Sequence, residues 1–153
     1  MVKKTRDGLY IKPIERGTTI DHLPVGTALH VLKIVGSSDD AITLAIGVPS
    51  RKLGKKDLVF VENKLLSNEQ IAKIALIAPG ATLNIIEKNE VVLKTRLEMP
   101  KKVVGLMSCI NPKCITNIEN VEPIFYIDDS GTARCYYCEK TMKREEYINR
   151  LRV

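Results

Sequence analysis

The 153-residue sequence has no tryptophan, a single glutamine at position 70, and aromatic side chains at only 5% of positions. So few flat rings leave little on which successive bases could stack, and a single-stranded nucleic-acid platform is poorly supplied. There is no run of about 18 apolar residues, and the opening MVKKTRDG lacks the apolar stretch of a secretory signal, so neither a membrane span nor export is expected and the chain reads as cytoplasmic. Cysteine is missing from the first 108 residues and then occurs four times. In a reducing compartment such cysteines point to metal ligation or redox chemistry before structural disulfides. Abundant isoleucine and lysine beside the lone glutamine are in keeping with a heat-adapted host.

Apolar residues make up 44% of the chain, enough for one ordinary domain or two small ones. The formal charge of +6 invites a polynucleotide partner, but it is spread thinly. Residues 1–100 carry 15 basic against 11 acidic side chains, and residues 101–153 carry 9 against 7. Four thiolates on one divalent ion would bring the second part close to neutral.

Through residue 100 the periodicity alternates between strand and helix. GLYIKPIERG reads as a strand. In PVGTALHVLKIVG, Val25, Ala28, Leu29, Leu32 and Val35 recur at helical spacing, with Pro24 opening the segment and Gly36 closing it. AITLAIGVPS sets Ile42, Leu44, Ile46 and Val48 on one strand face, and KDLVFVEN follows as a hairpin partner after the basic turn SRKLGKK. Ser67 with Gln70 forms a capping box, Leu66 and Ile71 a hydrophobic staple, and Pro79 and Gly80 end the second helix. ATLNIIEKNEVVLKTR gives two strands around Lys88 and Asn89. The order β-α-β-β-α-β, with one more strand, predicts an α+β, ferredoxin-like N-terminal domain over 1–100. Beyond the boundary EMPKKVVG, short strands at VVGLMS, EPIFYID and TARCYYC, with a turn at DDSG, predict a small all-β, zinc-ribbon-like domain over 101–153.

CINPKC and CYYC carry the chemistry of that second domain. C-x4-C, twenty residues, then C-x2-C suits a closed tetrahedral site made by Cys109, Cys114, Cys135 and Cys138 around one structural Zn2+. About fifty residues bury too little apolar surface to hold together unaided, so a metal cross-link has a task. Two alternatives stay open on spacing alone: a dithiol redox pair at Cys135 and Cys138, and an iron-sulfur cluster.

ERGTTIDHLP, PSRKLGKKDLVFVEN, LIAPGATLNIIEKNEVVLK, CINPKCITN and CYYCEK occur together in this order. With them the sequence resembles the regulatory chains of aspartate carbamoyltransferase across nearly its whole length. The resemblance implies a non-catalytic allosteric subunit in pyrimidine biosynthesis. Its N-terminal domain would bind nucleoside triphosphates (CTP, ATP and possibly UTP), its zinc domain would dock on a catalytic chain, and regulatory chains would pair with each other through their effector domains.

By the same resemblance Lys94, His22 and Asn84 lie around the phosphates, Asp21 and Val91 by the ribose, Ile14 against the base, and Lys56 and Ile86 near the pocket; Asn111, Glu139 and Lys140 face the catalytic chain. A triphosphate needs cations and donors, which Lys94 and Lys56 can supply, and Asp21 can accept ribose hydroxyls. Outside the motif, Lys94 reads as a solvated lysine, His22 beside Asp21 as a hydrogen-bonded pair, and Asn84 and Asn111 as turn residues. The chain departs from well-known members at Phe60, where they carry lysine, and at Asn89, where they carry tyrosine, which bears on the choice among triphosphates. No acid-base constellation is visible, so no catalytic residue is expected. A zinc-ribbon polynucleotide binder is the alternative from another class; it would bind with steep salt dependence.

Overall fold

The computed structural model describes residues 3–4, 10–11, 15–36, 39 and 41–153. Strands β1 (Lys3–Lys4) and β2 (Tyr10–Ile11) pair as a short antiparallel ribbon. Of the predicted strand GLYIKPIERG only fragments are described, and Ile14 lies outside the described residues.

The first large unit runs β3 (Gly17–Leu23), α1 (Ala28–Val35), β4 (Ile42–Ser50), β5 (Gly54–Glu62), α2 (Asn68–Ile77), β6 (Thr82–Glu87) and β7 (Glu90–Arg96). The strands form one antiparallel sheet in the order β4-β5-β3-β6-β7. This is the split βαβ arrangement with β7 added at one edge, in the order that the sequence predicts, but its first strand is Gly17–Leu23 and not GLYIKPIERG, of which Tyr10–Ile11 pairs with Lys3–Lys4 outside this sheet. Lys88 and Asn89 both have positive φ, 49° and 64°, the primed turn that joins β6 to β7 through two residues.

Both helices cover one face of the sheet. Ile20, Val59, Val61 and Leu83 from the strands meet Ala28, Val31, Ile34 and Val35 of α1 and Ile74, Ala75 and Ile77 of α2. The capping box is present: Ser67 Oγ accepts from Gln70 N–H at 3.1 Å, and Gln70 Oε1 accepts from Ser67 N–H at 3.0 Å. Leu66 and Ile71 both pack on this core. Gln70 also donates to Ile34 O at 3.2 Å, and Lys64 Nζ donates to Val35 O at 2.7 Å. Two of the carbonyls left over at the end of α1 are thereby satisfied.

Two predicted faces are corrected. In α1 the buried stripe is Ala28, Val31, Ile34 and Val35, while Val25 and Leu29 are 53% and 54% exposed. The helix starts at Ala28, three residues later than the periodicity suggested, because Pro24–Thr27 forms a turn in which Thr27 N–H and Oγ1 both donate to Pro24 O. In β4 the alternation fails at Ile46, which is 51% exposed. A bulge between Ala45 and Val48 inserts one residue, and Gly47 takes φ 71° there. Ile42 and Leu44 stay on the helix side, whereas Val48 joins the opposite face.

One carboxylate ties these irregularities together. Asp57 of β5 is fully buried and points toward the helices. Its Oδ2 accepts from Gly26 N–H at 2.8 Å and Ala28 N–H at 3.2 Å, and its Oδ1 accepts from Gly47 N–H at 3.0 Å. It therefore caps α1 from across the sheet and pins the β4 bulge, with its charge at the favourable end of the helix.

The second unit comprises β8 (Lys102–Val104), α3 (Ile115–Ile118), β9 (Ile124–Ile127), β10 (Ala133–Cys135), β11 (Thr141–Met142), α4 (Arg144–Tyr147) and a 3₁₀ turn at Ile148–Arg150. Its antiparallel sheet has the order β11-β10-β9-β8. The two single-turn helices were not expected from the sequence. Phe125, Met107, Met142, Tyr147 and the cysteines fill its core, joined by Leu76 from α2 of the first unit. Tyr147 is fully buried, with its hydroxyl donating to Gly131 O at 3.0 Å; burial pushes that phenol above its usual pKa. No helix among the described residues is long and apolar enough to cross a membrane.

Replacing Asp57 with alanine removes the acceptor of three N–H donors at once, that of Ala28 buried and those of Gly26 and Gly47 part-buried. Asp57→Ala should lower stability by about 3 kcal/mol or more, read as a fall in the denaturation midpoint. Asp57→Asn, which keeps acceptor capacity on one atom, should cost less.

Candidate functional site

The four cysteines meet at one point because each half of the second unit bends a short loop toward the other. The Cys109–Cys114 loop turns on itself through Cys114 N–H donating to Asn111 O at 3.0 Å. At the other knuckle Glu139 N–H donates to Cys135 O and Cys135 N–H to Lys140 O, and Glu139 takes φ 65° to close the turn. All four Sγ atoms lie within 4.8 Å of one another. Cys109 and Cys138 are 3.6 Å apart, and Cys114 and Cys135 are 3.7 Å apart. A tetrahedral ion with metal–sulfur bonds of about 2.3 Å sets its ligands ~3.8 Å apart, so this donor set fits one such ion.

Supporting groups absent from the sequence reading hold the loops. Thr116 Oγ1 donates to Cys114 Sγ at 3.2 Å, Asn117 Nδ2 donates to the carbonyls of Cys109 and Asn111 at 2.9 and 2.7 Å, and Arg150 reaches Cys109 O at 3.2 Å. Hydrogen bonds of this kind orient first ligands around a metal. The ITN run directly after the second cysteine was the available signal, and its meaning depends on the loop closing back over the thiols.

Without an ion the thiols are unequal. Burial pushes Cys109 up to about 12, aided by its neighbours Cys138 and Cys135, and burial likewise raises Cys135. Burial also acts on Cys138, but hydrogen bonds from Lys140 N–H, the Asn111 side chain and the neighbouring thiols outweigh it and bring Cys138 to about 7. Four thiolates this close repel one another, and a dication among them reverses that balance.

The other candidate residues lie on the sheet face turned away from the helices. Strand register places Thr43, Phe60, Thr19, Asn84 and Lys94 side by side in one transverse row. Asp21 pairs with Thr82, which pairs with Arg96 in the adjacent row, and Ile86 pairs with Val91 in the row on the other side. Lys56, almost wholly buried, reaches Asp21 Oδ1 at 3.2 Å. A bulge after Ile20 gives His22 φ 58°. Its Nδ1 lies 3.2 Å from Thr82 Oγ1 and 4.0 Å from Asp21 Oδ2, so the ring's hydrogen-bond partner is Thr82 and the carboxylate's cation is Lys56.

Asn84, read in isolation as a turn residue, instead sits in mid-strand, its amide donating to Thr19 Oγ1 at 3.2 Å. Lys94 and Val91 are exposed and Phe60 half-buried. Register thus brings Asp21, Lys56, Asn84, Ile86, Val91 and Lys94 to one face, with His22 reaching it through Thr82. Thr19 and Thr82 were missed because isolated threonines in a strand carry no sequence signal. Asn89 is exposed at the β6–β7 turn, its N–H donating to Glu15 O at 3.0 Å.

Asn111, Glu139 and Lys140 border the cysteine cluster. Asn111 does perform turn chemistry, its Oδ1 accepting from Lys113 N–H at 3.1 Å. Beside them Tyr136 and Tyr137 stand edge to face with centroids 5.1 Å apart, 59% and 38% exposed, and Tyr126 lies 6.2 Å from Tyr136.

Comparison with known proteins covers both units. Residues 9–98 match the family model described as the allosteric domain of the aspartate carbamoyltransferase regulatory chain, and residues 101–148 match the metal-binding domain of the same chain. Among similar proteins, the aspartate carbamoyltransferase regulatory chain of Pyrococcus horikoshii is 46% identical over 149 residues, covering 94% of this chain and 98% of its own length. Those of Korarchaeum cryptofilum and Thermofilum pendens are 46% and 45% identical, each covering 95% of this chain and respectively 98% and 96% of their own. The matched domains are described as allosteric and metal-binding, neither as catalytic. The chain belongs to the family of aspartate carbamoyltransferase regulatory chains.

Proposed function

We propose that this chain binds nucleoside triphosphates on its first unit, residues 1–100, and grips a catalytic chain of aspartate carbamoyltransferase through its second, residues 101–153. The observation that carries the reading is the gathering of Asp21, Lys56, Asn84, Ile86, Val91 and Lys94 on one sheet face opposite the helices. Lys94 and Lys56 meet phosphate charge, Asp21 accepts ribose hydroxyls, Asn84 and His22 add polar contacts, and Ile86 and Val91 give apolar walls. Phe60 supplies a ring where the resemblance to well-known members of the family implies a cation, which bears on the choice among CTP, ATP and UTP.

The metal is Zn2+, one per chain, held by Cys109, Cys114, Cys135 and Cys138. Two findings support this: the sulfur separations suit one tetrahedral ion, and an iron-sulfur cluster would spread its four thiolates over several irons, farther apart than 4.8 Å. The ion's role is structural; with all four positions taken by protein it leaves no open coordination site. The knuckles then present Asn111, Glu139 and Lys140, with exposed Tyr136 and Tyr137, to the catalytic chain. Two regulatory chains pair through their first units, and an effector that binds the two states of the assembly unequally shifts it between them.

Lys94→Gln should weaken CTP binding by about tenfold or more in calorimetric titration of the full chain; unchanged affinity would remove the phosphate role from this face. Elemental analysis should give one zinc per chain. Metal should be lost progressively as pH falls, because each thiol must be deprotonated to ligate, and loss should steepen below about 7, where even Cys138 holds its proton. Chelation or Cys114→Ser should release the catalytic chain in gel filtration while CTP binding persists. A complex that survives metal removal would break the link between the ion and the grip.

A further inference from the structure

A cleft of about 530 Å³ opens where the two units meet. Pro24, Thr27 and Ile77 line it from the first unit; Ser130, Thr132, Lys143, Arg144 and Ile148 line it from the second. Its size falls within the usual range of small-ligand sites, and junctions between units are where such sites concentrate.

The wall is cationic. Lys143 and Arg144 stand side by side on it, and among the described residues neither side chain makes a salt bridge, although the Lys143 backbone N–H donates to Glu146 Oε1 at 3.0 Å. Glu145 is the single acid in the lining. Asp128, the nearest acid of the 128–131 turn, already accepts from Ser130 N–H, Ser130 Oγ and Thr132 N–H at 2.9, 2.6 and 3.0 Å. Arg144 also lines a second cleft of about 270 Å³, together with Asp128 and Asp129. Its Nε–H is shielded from solvent and has no acceptor. A guanidinium with an unmet buried donor gains most from an oxyanion that offers two acceptors in one plane.

We propose that this cleft binds a small organic oxyanion, a carboxylate or a phosphate ester, with Arg144 and Lys143 on the charge and Pro24 and Ile148 against its apolar body. The occupant touches both units, so binding it stiffens their junction. The site is separate from the sheet face assigned to nucleotides and stands whether or not that assignment does.

The test uses the zinc-loaded full chain labelled with 15N, with the Arg144 Nε–H signal assigned by Arg144→Lys. CTP is kept saturating so that the nucleotide face is occupied, and inorganic phosphate and glutarate are titrated as separate probes of the two oxyanion classes. The expected result is a saturating shift of the Arg144 signal with at least one probe, weakened about tenfold or more in Arg144→Gln and several-fold in Lys143→Gln, and a rise in thermal midpoint on binding. Lys143 is exposed, so its substitution leaves the fold intact and keeps the comparison valid if Arg144→Gln is unstable. An Arg144 signal that stays still, drifts without saturating, or moves equally in Lys143→Gln overturns the proposal.

Discussion

Four sulfur atoms converging on one point are the constraint on which the C-terminal third rests. The strands around them are two to four residues long, too short to specify a fold by pairing alone. The thiols come from two loops separated by an entire strand, so closing the cluster fixes the relative position of both knuckles, β9 and β10. Everything proposed for contact with a catalytic chain lies on those knuckles. Local hydrogen bonds from Thr116, Asn117 and Arg150 shape the loops, but they act on a loop that the cluster has already closed.

Helix α2 connects this small unit to the larger one. Its Ile74, Ala75 and Ile77 belong to the first core and its Leu76, with Ala72 nearby, to the second. In return Ile148 and Leu151 of the C-terminal tail pack on the first core. A packed interior has discrete arrangements instead of continuous ones, so a displacement of α2 on one side must be met on the other. The same helix reaches the end of α1 through Gln70. A route therefore exists in contacts from the sheet that carries the candidate effector face to the cysteine loops.

Much of this is legible in the sequence. The capping box at Ser67 and Gln70, the hairpin after AITLAIGVPS and the βαββαβ order follow from local rules that operate within a few residues. The cysteine spacing announced a four-thiol cluster because the ligands themselves are rare residues. The errors have a common cause in long-range contacts. Leu29 and Ile46 were assigned to buried faces because periodicity assumes an uninterrupted element, whereas the turn at Pro24 and the bulge at Gly47 shift the phase. Asp57 gave no signal at all, since a single acid in a strand reads as solvated unless its three distant donors are known. Threonines 19 and 82 were invisible for the same reason, and Asn84 looked like a turn residue until register put it in a row with Lys94.

Asp57 also sets a condition on how such a chain can vary. Because one side chain anchors the stretch after β3, the kink of β4 and the middle of β5, these three segments are not free to drift apart: a change in the length of either loop is tolerated only if its amide still reaches the same oxygen. Across descendants of this sequence the three should be inherited as a block, and the rim of the candidate effector face that β3, β4 and β5 jointly form inherits its shape with them.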